Sequence, residues 1–298
     1  MAIFFQVVLP VILIFVFGFV LQKAYKIDIR SVSTVAIYIM TPCLVFRTFY
    51  ESPLNAQYAY MTIFALLLMF LLIVINKIYA RWRNLTQADE SGLILSTAFM
   101  NVGNYGTPII LFAYGPIAFD YAVSFMVLQS IIMNLFGVYY AARGKAGVKI
   151  ALHAIARMPA TYATVAALFL NAVSIPVPDN LFMTVDIVAE AAIPTVMLIL
   201  GMQLAMIRWE GFEWEKVTFS VVVRMFLSPL IAFGLVYILP LDPLVAKVLI
   251  VSAAMPSAAT IVMYAVQFDS RPKLVSSVTL ITTIVSLFSL TLLLWILG

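Results

Sequence analysis

The feature that most constrains this chain is a series of ten long apolar stretches, each nearly free of charge. They lie at about 3–21, 32–50, 58–77, 92–113, 118–140, 158–175, 183–207, 217–239, 243–267 and 274–297. A run of roughly 18 or more such residues is the length an α-helix needs to cross a bilayer core. The runs are continuously apolar and do not alternate, which points to helices and not to a barrel. Apolar residues make up 64% of the sequence and charged residues 10%. A soluble domain could not hide that much apolar surface. The expected class is an all-α integral membrane protein with ten transmembrane helices.

Charge placement gives the expected orientation. Loop 22–31 carries Lys23, Lys26 and Arg30, and loop 77–91 carries Lys77, Arg81 and Arg83. Loop 141–157 carries Arg143, Lys145, Lys149 and Arg157. Arg208 and Lys216 lie in loop 208–216, and Arg271 and Lys273 in loop 268–273. The alternate loops at 51–57, 114–117, 176–182 and 240–242 hold no basic residue. The positive-inside rule then predicts five cytoplasmic loops and two extracytoplasmic termini, in the cell membrane. Topology signalling accounts for the basic balance, so no nucleic-acid partner is implied. The first stretch lacks a basic leader and a small-residue cleavage site, and reads as a retained helix. Cys43 is the only cysteine and His153 the only histidine, which leaves no metal-ligand or thiol constellation and implies no cofactor.

Prolines suggest an internal repeat. Pro10, Pro42 and Pro108 precede Pro159, Pro194 and Pro256 by 149, 152 and 148 residues. Each half then holds five spans, and an odd number inverts the second half relative to the first. The expected division is a repeat at 1–140, a linker at 141–157 and an inverted repeat at 158–298. Inverted repeats are common in secondary transporters, with binding sites near the midplane. Proline tolerance in membrane helices is the plainer explanation. In the linker, Lys145, Lys149, His153 and Arg157 recur every four residues, as on an interfacial helix facing lipid headgroups; a solvated linker is the alternative.

Two spans read as broken. In the fourth, Asn101, Gly103, Asn104, Tyr105, Gly106 and Thr107 lead into Pro108. In the ninth, Ser252, Ala253, Ala254, Ser257, Ala258 and Ala259 surround Pro256. Proline removes a donor and clashes with the preceding turn, and small residues allow close approach of another helix. The expectation is that these spans cross at their breaks, with a half-helix beginning after each proline. Two such N-termini would favour an anion, above all a carboxylate. Asn101, Asn104, Ser257 and Thr260 could add hydrogen bonds, or serve only to repair the kink and join helices.

Ionisable groups within spans are functional candidates. Glu190 lies one turn before Pro194, and apolar surroundings would favour its protonated form, suiting it to proton coupling. Asp186 shares its face at i−4. Arg47 could pair with Glu51, Lys247 could snorkel, and Arg224 could snorkel or pair with Glu190 or a substrate carboxylate. Gln129, Asn134 and Gln203 read as interhelical glue.

The segment from Asn101 to Ile110, with Ala254-Met255-Pro256-Ser257-Ala258, Met40 to Leu44 and the tail from Tyr264 to Thr282, resembles the auxin efflux carrier family. That family includes bacterial permeases and the plant PIN-formed carriers. The resemblance spans essentially the whole chain. It implies a ten-helix inverted-repeat fold similar to bile-acid sodium symporters, with crossed broken helices four and nine that bind organic anions, malate or malonate among bacterial members. It carries Asn101, Pro108 and Pro256 onto the crossing, where Asn104, Tyr105, Gly106, Ser257 and Thr260 are the further substrate-binding candidates. It also implies that spans three, four, five, eight, nine and ten move against one, two, six and seven. The long hydrophilic loop of many plant members is absent. Expected partners are a small organic anion, protons more than sodium, membrane lipids and a second copy in a homodimer. Competing readings are a non-transporting anion sensor or scaffold, a channel, and an intramembrane enzyme, for which no nucleophile–base pair is found.

Overall fold

The computed structural model describes residues 3–51, 55–142, 156–207 and 213–298. The expected linker helix, with Lys145, Lys149 and His153, lies almost wholly outside these residues.

The chain forms α1 (Phe4–Tyr25), α2 (Ile29–Glu51), α3 (Gln57–Trp82), α4 (Gln87–Ala98), α5 (Val102–Ala141), α6 (Pro159–Ala172), α7 (Asp179–Met206), α8 (Trp214–Ile238), α9 (Pro243–Ala253), α10 (Thr260–Gln267) and α11 (Pro272–Leu297). Among the described residues no strand forms. Seven of the helices are individually long and apolar enough to cross a membrane: α1, α2, α3, α5, α7, α8 and α11. The difference from ten has a local cause. Breaks divide two of the apolar stretches into α4 with the start of α5, and α9 with α10, and α6 is only 14 residues long. At the turn expected at 114–117 the chain leaves helical geometry, at Gly115 (φ 80°, ψ −171°) before Pro116, so α5 is two helical segments joined at a kink. A positive φ of that size suits glycine and strains other residues.

Helix boundaries follow the local sequence. Asp28 caps α2 by accepting from the Arg30 and Ser31 amides, each at 3.2 Å. Thr86 caps α4 by accepting from the Asp89 amide at 3.2 Å. Pro159, Pro243 and Pro272 stand at the starts of α6, α9 and α11, where a missing amide hydrogen costs little. Inside helices, prolines leave a different mark. The helix opens into a π-turn at Phe4–Val8 ahead of Pro10, at Ala36–Met40 ahead of Pro42, at Val102–Gly106 ahead of Pro108 and at Val223–Leu227 ahead of Pro229. The ring would otherwise clash with the carbonyl one turn back, and a wider turn relieves that clash.

Two close helix contacts organise the molecule. α1 packs along α7, and α2 packs against both α6 and α7. At the first contact a Cβ on Gly18 would lie 2.1 Å from the Leu198 carbonyl oxygen, and one on Gly201 would lie 2.0 Å from the Phe15 carbonyl oxygen. Backbones approach this closely only through glycine. A large apolar core joins α1, α3, α5, α9 and α11, and a second joins α2, α6, α7 and the later half of α5.

At the end where basic loops gather, an ion-pair cluster ties α4, α8 and α11 together. Asp89 meets Lys216 Nζ and Arg271 Nε, each at 2.8 Å, and Glu213 meets Lys216 at 2.7 Å and Arg271 at 2.6 Å. Arg271 takes a positive φ of 54° as it leads into α11. Burial alone would raise the Asp89 pKa. Hydrogen bonds from Lys216 and Thr86, with the Arg271 and Lys216 charges, together hold it below the ordinary carboxylate value.

Candidate functional site

The chain leaves helical geometry at Phe99 (φ −114°, ψ 116°) and Asn101 (φ −83°, ψ 65°), and again from Ala254 to Ala259. These two breaks meet. Met100 and Ser257 form an antiparallel bridge. The Asn101 amide donates to Pro256 O at 2.8 Å, and the Ala258 amide donates to Phe99 O at 3.0 Å. The Ser257 hydroxyl donates to Ser96 O, and its amide donates to Thr282 Oγ1 at 3.2 Å. Ser252, Ala253, Ala254 and Ala258 are all buried, and their small side chains let the backbones approach. Buried irregular backbone needs such partners, because lipid offers none.

The crossing also orphans two carbonyls. Thr97 lies in the last turn of α4 and Ala253 ends α9, and the amides four residues on are engaged elsewhere. Arg224 fills both positions. Its guanidinium donates to Thr97 O at 2.7 Å, to Ser228 Oγ at 2.5 Å and to Ala253 O. Arg224 is 0% exposed.

Two cavities share α7 as a wall, and Ala259 of the second break lines one of them. One, of about 490 Å³, opens at the basic end; Gln203 and Leu204 of α7, Ala259 and Val262 beside α10, and Lys273 and Thr279 of α11 line it. The other, of about 540 Å³, opens at the opposite end; Arg47, Leu111, Asp120, Asp186, Glu190 and Pro194 line it. Met197 belongs to the second cavity and Leu200 to the first, and both are buried. One turn of α7 therefore separates the two spaces.

A family model described as "Membrane transport protein" matches residues 3–155 and 146–294. The chain belongs to this family, the auxin efflux carriers. It is 26% identical over 294 residues to a protein named "Uncharacterized transporter" from Methanothermobacter thermautotrophicus, covering 96% of each chain. A similarly named protein from Methanocaldococcus jannaschii is 25% identical, covering 95% of this chain and 92% of the relative. A protein named "Putative malonate transporter" from Rhizobium meliloti is 25% identical, covering 89% of this chain and 85% of the relative.

Against that background the residues singled out from sequence divide into groups. Asn101, Pro256 and Ser257 lie in the crossing itself. Asn101 is 5% exposed, and its side-chain Nδ2 has no hydrogen-bond partner. Ser257 is consumed by contacts between the broken segments, as is the Pro256 carbonyl. Thr260 begins α10 and is half-buried, and Asn104 is half-buried in the first turn of α5. Tyr105 faces the core: it is 0% exposed, hydrogen-bonded with Ser286 Oγ at 3.0 Å and edge-on to Phe15. Gly106 is pressed against Met255, whose Cγ would stand 3.2 Å from an added Cβ.

Three expectations need correction. The first break precedes Pro108, so the half-helix starts at Val102 and Pro108 sits well inside it. Proline there widens the turn, and the Thr107 hydroxyl occupies the Gly103 carbonyl at 2.6 Å. Arg224 neither snorkels nor meets Glu190, because the orphaned carbonyls hold it in the interior. Arg47 pairs with Asp186 at 2.6 Å instead of with Glu51, and Glu190 lines the same cavity. Sequence reading missed Asp120, which belongs to the same cavity. Its signal was an acid only four residues past Pro116, close to the kink.

Proposed function

We propose that this membrane transport protein is a secondary active transporter of small organic anions, mono- or dicarboxylates such as malonate or malate. It works by alternating access. The observation that carries the reading is the pair of cavities separated by a single turn of α7. Each is within the size range of small-molecule sites. Moving α4, α5, α9 and α10 relative to α7 would open one space while closing the other.

Several features support the ten-span, inverted-repeat arrangement. α4 with the start of α5, and α9 with α10, each make one broken span. The contact of α1 with α7 and that of α2 with α6 exchange under such a repeat, which relates spans one and seven to spans six and two. Each half-helix beyond its break lines the cavity on its own side: Leu111 on one, Val262 on the other. The half-helix N-termini at Val102 and Thr260 carry the positive end of the helix dipole, which favours a carboxylate. Asn101 Nδ2 is the unpartnered donor nearest that place in the chain. Lys273 adds positive charge to the cavity at the basic end, taken as cytoplasmic. At the opposite end Glu190, Asp186 and Asp120 offer carboxylates for proton coupling.

The test is counterflow in proteoliposomes with labelled malonate, malate, lactate and indole-acetate at several pH gradients. Saturable uptake driven by internal unlabelled substrate is the expected result. Asn101→Ala is expected to lower that flux while insertion is retained. Absence of counterflow for all four anions would overturn the reading.

A further inference from the structure

Arg224 is the one Lys or Arg among the described residues that is fully buried. Arg47, Arg83, Lys216 and Arg271 each meet a carboxylate. Arg224 is fully buried midway along α8 and forms no ion pair among the described residues. Its partners are neutral: Thr97 O at 2.7 Å, Ser228 Oγ at 2.5 Å and Ala253 O, with Ser228 Oγ itself donating to Ala253 O at 2.9 Å.

Those carbonyls are free for a physical reason. In an unbroken helix Thr97 O would accept from the Asn101 amide and Ala253 O from the Ser257 amide. Here the Asn101 amide donates to Pro256 O and the Ser257 amide to Thr282 Oγ1. Both carbonyls lie in the last turns of their helices, and a helix C-terminus carries roughly half a negative charge. Two such ends call for about one positive charge. In transporters with broken helices, half-helix C-termini and unwound carbonyls are where a coupling cation is held. Arg224 occupies that set of oxygens with a charge that cannot leave. Its planar fork reaches both helix ends at once, which a spherical ion would do only by coordination.

We propose that Arg224 is a tethered cation that joins the two half-helix C-termini at the crossing, and that anion exchange by this protein therefore runs without sodium. Arg224 is a positioning residue: it holds the crossing and touches no substrate. The sodium part rests on the transport reading above, whereas the tethering part does not.

The experiment uses the full chain and two separate readouts. Thermal melting of purified wild type is expected to be the same in sodium, potassium and choline chloride. Arg224→Ala is expected to melt lower and to regain part of the loss in millimolar guanidinium, which can enter the vacated space. Arg224→Gln, which refills that space without charge, is expected to stay low and not respond. Arg224→Lys keeps the charge but loses the fork, and is expected to fall between wild type and Arg224→Gln. It provides the comparison if Arg224→Ala does not fold. Melting of Arg224→Gln equal to that of wild type, or a deficit in Arg224→Ala that guanidinium leaves unchanged, would overturn the tethering.

In the second readout, malonate counterflow by wild type is expected to be equal in sodium and choline, and roughly tenfold slower in Arg224→Lys, the effect of losing about one charge-assisted hydrogen bond. Sodium-dependent wild-type counterflow would overturn the second half of the proposal. Loss of all counterflow alongside normal melting behaviour would count against the transport reading and leave the tethered cation standing.

Discussion

At the α1–α7 contact, helix backbones meet through the absence of side chains; at the crossing, they meet through hydrogen bonds that the helices themselves have given up. Gly18 and Gly201 each lie against a carbonyl of the other helix, in a contact made by shape. At the crossing Asn101, Ala258, Ser257 and Arg224 all spend donors on carbonyls that the breaks released. The first contact suits two helices that stay together. The second suits elements whose exposed amides and carbonyls have a further use. The comparison teaches that close approach in a membrane is reached either by removing atoms or by giving new partners to the backbone groups that a break releases, and that only the second leaves chemistry at the meeting point.

Gly201→Ala is the severest way to break the contrast. Its Cβ would stand 2.0 Å from the Phe15 carbonyl oxygen, so α1 and α7 must part. Overpacking of this kind costs ~1–3 kcal/mol and more where backbone must move. Melting of the purified protein in detergent reads it. Gly234→Ala is the control: nothing lies within 4 Å of its added Cβ, so melting should hold or rise slightly. Equal behaviour of the two variants would mean that the α1–α7 approach is not close in the working protein.

Ser257→Ala strikes the polar contact instead. It leaves Ser96 O without its donor, at a cost of ~1–3 kcal/mol. Because the crossing is also the proposed site, malonate exchange should fall further than melting predicts. A fall in melting with unchanged exchange would separate the crossing from transport.

Asp89→Asn sharpens the comparison with charge at the basic end. Removing the shared acid of Lys216 and Arg271 should cost about 1–2 kcal/mol, between an exposed and a buried pair. The pH dependence has a definite sign. The folded-state pKa of Asp89 is lowered, so its stabilising effect is complete above the ordinary carboxylate value and is lost as pH falls through the folded value. Wild type should therefore lose more stability than Asp89→Asn below about pH 4. Parallel melting curves across that range would remove Asp89 from the account.

Glu190→Gln should change melting least, within about 0.5 kcal/mol, because the side chain is exposed. Its expected effect is on the pH profile of malonate exchange, which should flatten. An unchanged profile would pass the coupling role to Asp120 or Asp186.

Much of the crossing could be read from residue types. The small residues around Pro256 and the glycines after Asn101 mark places where a helix cannot run on and lipid cannot be the neighbour. Pro108 misled, because a proline looks like a break, whereas here it only widens a turn within a helix that began at Val102. Arg224 was visible as an intramembrane cation, but its partners are backbone carbonyls, which no residue pattern announces. Glu190 lies on an apolar run yet faces a cavity, since a helix has two sides and hydropathy averages them.

The sequence by itself determined the solvent and the secondary structure: long uncharged runs must be helices in lipid, because only a helix satisfies its own backbone there. Glycine, proline and small residues also marked where those helices could fail. The tertiary structure alone decided which failures meet, which oxygens Arg224 holds and which acids share a cavity. Those facts depend on residues far apart in the chain, 127 positions for Thr97 and Arg224, and a contact at such separation leaves no local signature.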